Sequence, residues 1–161
     1  MYLDPQWFTN LFGFEESPEA VRTWLQARGG ELRSSANGRS FRYGALQLAT
    51  LGELRKATAM RLPVEGRLSV EQVVNDAQAL HADPGNAHAL FQVASQFNLL
   101  EMAGPNVTPE AGVAGYVFDR TQGPACAIAC AAGTVYRNYF VAVNGQVGQS
   151  AENQIDCLDL L

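Results

Sequence analysis

Three carboxylates nine residues apart, Glu101, Glu110 and Asp119, stand in a segment whose glycines and prolines forbid one continuous helix. They belong to a folded loop able to converge on a ligand. Carboxylates so placed accept hydrogen bonds from sugar hydroxyls, orient a water, or protonate a leaving group when a neighbour raises one pKa. The competing reading is solvated loop charge, the usual state of acidic side chains. Position favours a site. Leu90, Phe91, Val93 and Ala94 read as a buried strand, and Ser95, Gln96 and Asn98 follow at its carboxyl end, where open α/β sheets bind ligands. Asp76 ends the preceding predicted strand in the same way, although Asp76 and Asn98 are each also common caps or turn formers.

Beyond the loop, Gln122 and Gly123 open an alanine-rich stretch with Thr121 as N-cap, so backbone N–H groups and the helix dipole there suit a phosphate. Close helix packing by small residues explains the same pattern. It is neither a GxGxxG fingerprint nor a GxxxxGK[ST] loop, which excludes a dinucleotide or P-loop assignment on motif grounds. The run QGPACAIAC also resembles a papain-like thiol hydrolase opening, with Cys126 as nucleophile. Against this, the aromatic residue after the cysteine is missing, and His81 and His88 precede Cys126 where that family's histidine follows. Cys126 and Cys130, four apart, are better read as core thiols on one helix face, and a zinc site lacks ligands in a recognisable spacing. No metal and no cofactor is expected. Arg137 fits a helix C-terminus.

These residues need elements to position them. Residues 5–28 read as two helical pieces, the second opened by Ser17 and Pro18 and ended by Gly29 and Gly30. Residues 31–35 and 40–43 flank Asn37-Gly38, which supplies the positive φ angles of a hairpin turn. Thr50 with Glu53 forms a capping box for a helix over 50–60. The alternation in 67–76 predicts a strand, 83–86 a turn, about 123–136 a buried helix, and 139–143 a further strand. Strand, strand, loop, helix, strand favours an α/β fold over a bundle.

At 161 residues and 47% apolar content the chain suits a single α/β domain, with a helical and hairpin part over 1–62 and a ligand-binding core over 63–161. The net charge of −5 with scattered basic residues argues against a nucleic-acid partner. No stretch reaches the roughly 20 apolar residues that span a bilayer, and the first residues lack a signal peptide's basic and apolar regions, so the expectation is a cytoplasmic protein with no membrane partner.

The stretch VEQVVNDAQALHADPGNAHALFQVASQFN, residues 70–98, is similar to the opening of macrodomains. In that family one strand ends in Gly-Asp-Ile and a second in Asn-Ala-Ala-Asn. Asn75-Asp76-Ala77 stands at the first position and Ala94 to Asn98 near the second. The resemblance covers about 70 residues and implies a macrodomain-like mixed sheet with flanking helices, incomplete at the C-terminus because the family's second phosphate-binding glycine loop is not visible before Leu161. It further implies that Asp76 accepts from the adenine amino group and that Asn98 contacts the distal ribose. Ser95, Gln96, Gln122 and Gly123 would complete the ligand contacts. Hydrolytic relatives, among them the poly(ADP-ribose) glycohydrolases and a branch acting on ADP-ribosylated arginine, carry acidic residues in the following loop. Glu101, Glu110 and Asp119 are the candidates here, although the glycohydrolases' Gly-Gly-Gly and Gln-Glu-Glu signature is missing. The resemblance thus implies ADP-ribose or an ADP-ribosylated protein as partner and hydrolysis of an ADP-ribosyl bond, with a non-catalytic ADP-ribose reader as the alternative.

Overall fold

The computed structural model describes residues 4–44, 49–59, 65–91 and 107–154. The chain divides into two compact units, Met1–Gly44 with Asn75–Leu161, and Ala45–Val74. The described residues are mixed α/β, with six α-helices and two small antiparallel sheets.

In the larger unit, helix α1 (Trp7–Phe12) ends at Gly13, whose φ of +86° is left-handed. A Cβ there would also lie 2.9 Å from the Asn37 side chain, so conformation and space both require glycine. Helix α2 (Pro18–Trp24) is capped as its sequence predicts: Ser17 Oγ accepts from Ala20 N at 3.1 Å, with proline first in the helix. The expected helix does not continue to residue 28. Leu25 turns extended and strand β1 (Leu25–Arg28) follows, pairing with β2 (Glu31–Ser34) across Gly29 and Gly30 at φ +61° and +83°. The two glycines thus make a hairpin turn and do not stop a helix, which has already ended at Trp24. The predicted hairpin around Asn37 and Gly38 forms, with β2 pairing to β3 (Ser40–Arg42).

Along β2 the side chains alternate, Leu32 and Ser34 buried, Glu31 and Arg33 exposed. Leu32 joins Trp7, Phe8, Phe12, Val21 and Leu25 in a core that also takes Val113, Tyr116, Ile128 and Val135 from the C-terminal half. Phe8 and Phe12 are fully buried with ring centroids 4.8 Å apart, each burial contributing roughly 1.5–3 kcal/mol. Ser34 satisfies its buried hydroxyl by donating to Phe12 O at 2.6 Å.

The C-terminal half of this unit is helical: α4 (Ala77–Ala82), α5 (Gln122–Ala129) and α6 (Ala131–Tyr139), then a minimal hairpin of β4 (Ala142–Val143) and β5 (Gln146–Val147). Helix α6 packs close on the end of β3. A Cβ at Gly133 would sit 3.2 Å from Tyr43 O, and the Tyr43 and Tyr136 rings stack at 3.8 Å with 4° between planes.

Several sequence expectations change here. The alternating run 67–76 forms no strand, and Asp76 caps α4 instead of ending a strand. Leu90 and Phe91 are in neither helix nor strand, and Leu90 is exposed; the rest of that predicted strand lies outside the described residues. The single alanine-rich helix is two, broken at Cys130, and Tyr139 ends α6 so that the strand begins only at Ala142. A parallel sheet is therefore not what orders the described residues: each sheet is an antiparallel meander of neighbours. In the smaller unit the expected capping box forms at α3 (Leu51–Ala59), Thr50 N donating to Glu53 Oε2 at 2.8 Å and Glu53 N to Thr50 Oγ1 at 3.2 Å. There Leu68, Val70, Val73 and Val74 are exposed.

One carboxylate joins the two halves of the larger unit. Glu16, between α1 and α2, accepts from Val113 N at 2.9 and 3.0 Å, from Ala114 N at 2.6 Å, and from the Tyr139 hydroxyl at 2.8 Å. Trp7 reinforces it, its indole N–H donating to Ala114 O at 2.9 Å. Burial, then the Glu16 charge, pushes the Tyr139 phenol far above its usual value of 10.0, so it stays a donor at all ordinary pH. Gly112 is pressed against the same carboxylate: its φ is +77° and a Cβ would lie 2.6 Å from Glu16 Oε2.

Removing this acceptor strands two partly buried N–H groups and a phenol. Glu16→Ala is expected to cost about 3 kcal/mol and Tyr139→Phe about 1.5 kcal/mol in urea unfolding, the smaller value reflecting one lost donor. Equal effects within about 0.5 kcal/mol would refute the clasp. Gly112→Ala should lower stability by about 1–3 kcal/mol, and Tm with it, through strain and the clash together.

Candidate functional site

Helix α4 brings the candidate residues together. Asp76 is its N-cap, Oδ1 accepting from Ala79 N at 2.8 Å. Two residues on, the buried Gln78 amide donates both to Val117 O and to Asp119 O, each at 3.1 Å. Those carbonyls end a short 3₁₀ turn (Ala114–Phe118), and the half-buried Asp119 then shapes the entry to α5, its Oδ1 accepting from Thr121 N at 2.8 Å and Thr121 Oγ1 at 2.6 Å. Asp76, Asp119 and the start of α5 are thereby held at one end of a packed α4–α5 pair.

Not every candidate joins them. Gln122 is exposed at the first position of α5, while Gly123 is buried and serves helix packing. Glu110 is exposed in a separate 3₁₀ turn (Pro109–Ala111), where it accepts from Ala151 N at 2.9 Å; Asn138 anchors that turn by donating to Pro109 O at 3.0 Å. Hydrogen bonds from the Thr108 side chain and the Ala151 amide hold its carboxyl below the usual 4.5. A group so stabilised as the anion suits accepting hydrogen bonds and not protonating a leaving group. Ser95, Gln96, Asn98 and Glu101 lie outside the described residues.

The sequence reading missed one pairing. His81, on α4, sits with Nε2 3.1 Å from Cys126 Sγ on α5, and its ring stacks on Phe91 with centroids 3.9 Å apart. Gln78 and His81 are three residues apart and share the α4 face turned to α5, a spacing that becomes informative only once 77–82 is read as helix. The thiol therefore has a positioned base although the histidine precedes it in the chain. Burial lowers the His81 pKa from 6.5, favouring the neutral imidazole. The expectation of two buried cysteines also changes: Cys126 is half-buried, but Cys130, where α5 breaks, is exposed. Among the described residues no three His, Cys, Asp or Glu side chains group as metal ligands would.

Gln78→Ala is expected to destabilise by about 1–2 kcal/mol, since it leaves two carbonyls without their donor, and to raise amide exchange selectively at 119–123. Uniform exchange changes would show that Gln78 does not organise this end. For Glu110 the sign follows from a lowered pKa: its clip contributes above the unfolded value and is lost as pH falls through the lower folded value. The Ala151 amide resonance should therefore move only below pH 4.5.

No family model, curated protein or solved structure is significantly similar to this chain.

Proposed function

We propose that the α4–α5 end binds ADP-ribose and that the chain hydrolyses an ADP-ribosyl bond on a modified protein. The observation that carries this reading is the double hydrogen bond from Gln78, which seats the Asp76-capped start of α4 beside Asp119 and the opening of α5. The residue set resembles the macrodomain arrangement, in which an aspartate accepts from the adenine amino group while a later acidic loop works on the distal ribose. The first N–H groups of α5 supply donors of the kind a pyrophosphate takes.

Within this proposal the work is divided by environment. Asp76 uses one carboxylate oxygen as a helix cap, and its second oxygen is assigned to the adenine amino group. Asp119, half-buried, is assigned to orient the attacking water. Glu110, ionised and bonded to Ala151, is assigned to shape the loop rather than to proton transfer. Glu101 and Asn98 keep the parts that the resemblance implies, one of the candidate loop carboxylates and the distal-ribose contact.

The non-catalytic reader is favoured by one observation: Asp119 Oδ1 is already engaged by Thr121, an arrangement that serves a turn as well as it serves a reaction. Calorimetry with ADP-ribose, paired with release of ADP-ribose from a modified arginine peptide, separates the readings. Asp76→Asn keeps a capping side chain but loses the carboxylate acceptor, and is expected to weaken binding about tenfold, the effect of one charged hydrogen bond. Asp119→Asn should abolish release while leaving affinity within about threefold. Binding without release in the unaltered protein would establish the reader; no binding at millimolar ADP-ribose would overturn both.

A further inference from the structure

Cys126 and Cys130 lie one turn apart on the same segment yet have different surroundings. Cys130 is exposed and has no side-chain partner among the described residues. Cys126 is half-buried, and its Sγ lies 3.1 Å from Nε2 of His81, contributed by a different helix. In the tautomer of His81 that carries its proton on Nδ1, the thiol donates to Nε2. Phe91 stacks on the imidazole face at 3.9 Å with 28° between planes, which holds the ring's orientation. A nucleophile in reach of a base that a third group orients is the general arrangement of an activated thiol.

We propose that Cys126 and His81 form a nucleophilic thiol site that takes small uncharged carbon electrophiles, a covalent modification site on this fold. With an α-haloamide the step is a displacement: the Sγ–C bond forms as the carbon–halogen bond breaks, the halide leaves with the bonding electron pair, and the thiol proton passes to His81 Nε2 and on to water. Neutral imidazole is the competent form, consistent with the desolvation of this histidine. The half-buried position restricts the reactant to small molecules. This inference does not rest on the ADP-ribose reading, since it concerns the α4–α5 interface itself and not the Asp76 and Asp119 carboxylates.

The two cysteines provide an internal comparison. The full chain is treated with limiting iodoacetamide at pH 7, and labelling of Cys126 and Cys130 is distinguished by peptide fragment ions. Exposure alone predicts Cys130 first; an activated Cys126 is expected to react about fivefold faster than Cys130 or more. His81→Gln should reverse that order, and unfolding in urea should bring the ratio towards one. If His81→Gln does not fold, the ratio of the unaltered protein in buffer against urea still decides. Cys130 reacting first in the native protein, or a ratio unchanged by a folded His81→Gln, would overturn the proposal.

Discussion

The larger unit depends on one carboxylate placed where two chain segments distant in sequence must meet. Glu16 takes three donors from residues 97 to 123 positions later, two of them backbone amides with no helix or strand partner. A charged acceptor is suited to this because one side chain can satisfy several N–H groups at once, each bond stronger than its neutral counterpart. The cost is strictness around it: Gly112 admits no Cβ, and Tyr139 must remain protonated, which its burial ensures. The aromatic core draws on both segments, with Trp7 contributing both apolar surface and an indole donor.

A second, smaller device sets the α4–α5 end. Gln78 is a buried polar residue satisfied by two carbonyls, so its amide fixes the position of the Asp119 turn relative to α4. The same helix face carries His81 to Cys126. One six-residue helix thus organises two chemically different features, a pair of carboxylates at its start and a thiol–imidazole pair near its end. Glu110 belongs to a different turn, where it accepts from Ala151 N and Asn138 donates to Pro109 O.

How much of this was legible depended on the range of the interaction. Local chemistry read true: Ser17 and Pro18, the Thr50 and Glu53 box, and the Asn37-Gly38 hairpin all form from contacts within a few residues. A second Asn-Gly pair, Asn144 and Gly145, makes the β4–β5 turn at φ +48° and +81° and carried the same signal unused. Failures occurred where apolar alternation meets no partner strand among the described residues, as at 67–76, and where a residue's role is set by tertiary contact. Glu16 looks like any loop glutamate in sequence, and the donors it satisfies are far along the chain. Asp76 was legible as a polar residue ending an element, but a cap at a helix start and a ligand at a strand end use the same residue type. The approach of His81 to Cys126 depends on helix packing, so chain order misled.

Asp76, Asp119 and the opening of α5 are proposed to make one ligand site. The most direct measurement is an amide NMR titration of the full chain with ADP-ribose. If they form one site, the resonances of residues 76–79 and 119–123 shift together along a single saturation curve, while those of 31–34 and 51–59 stay in place. Saturable shifts confined to other residues, or no shifts at millimolar ADP-ribose, would contradict it.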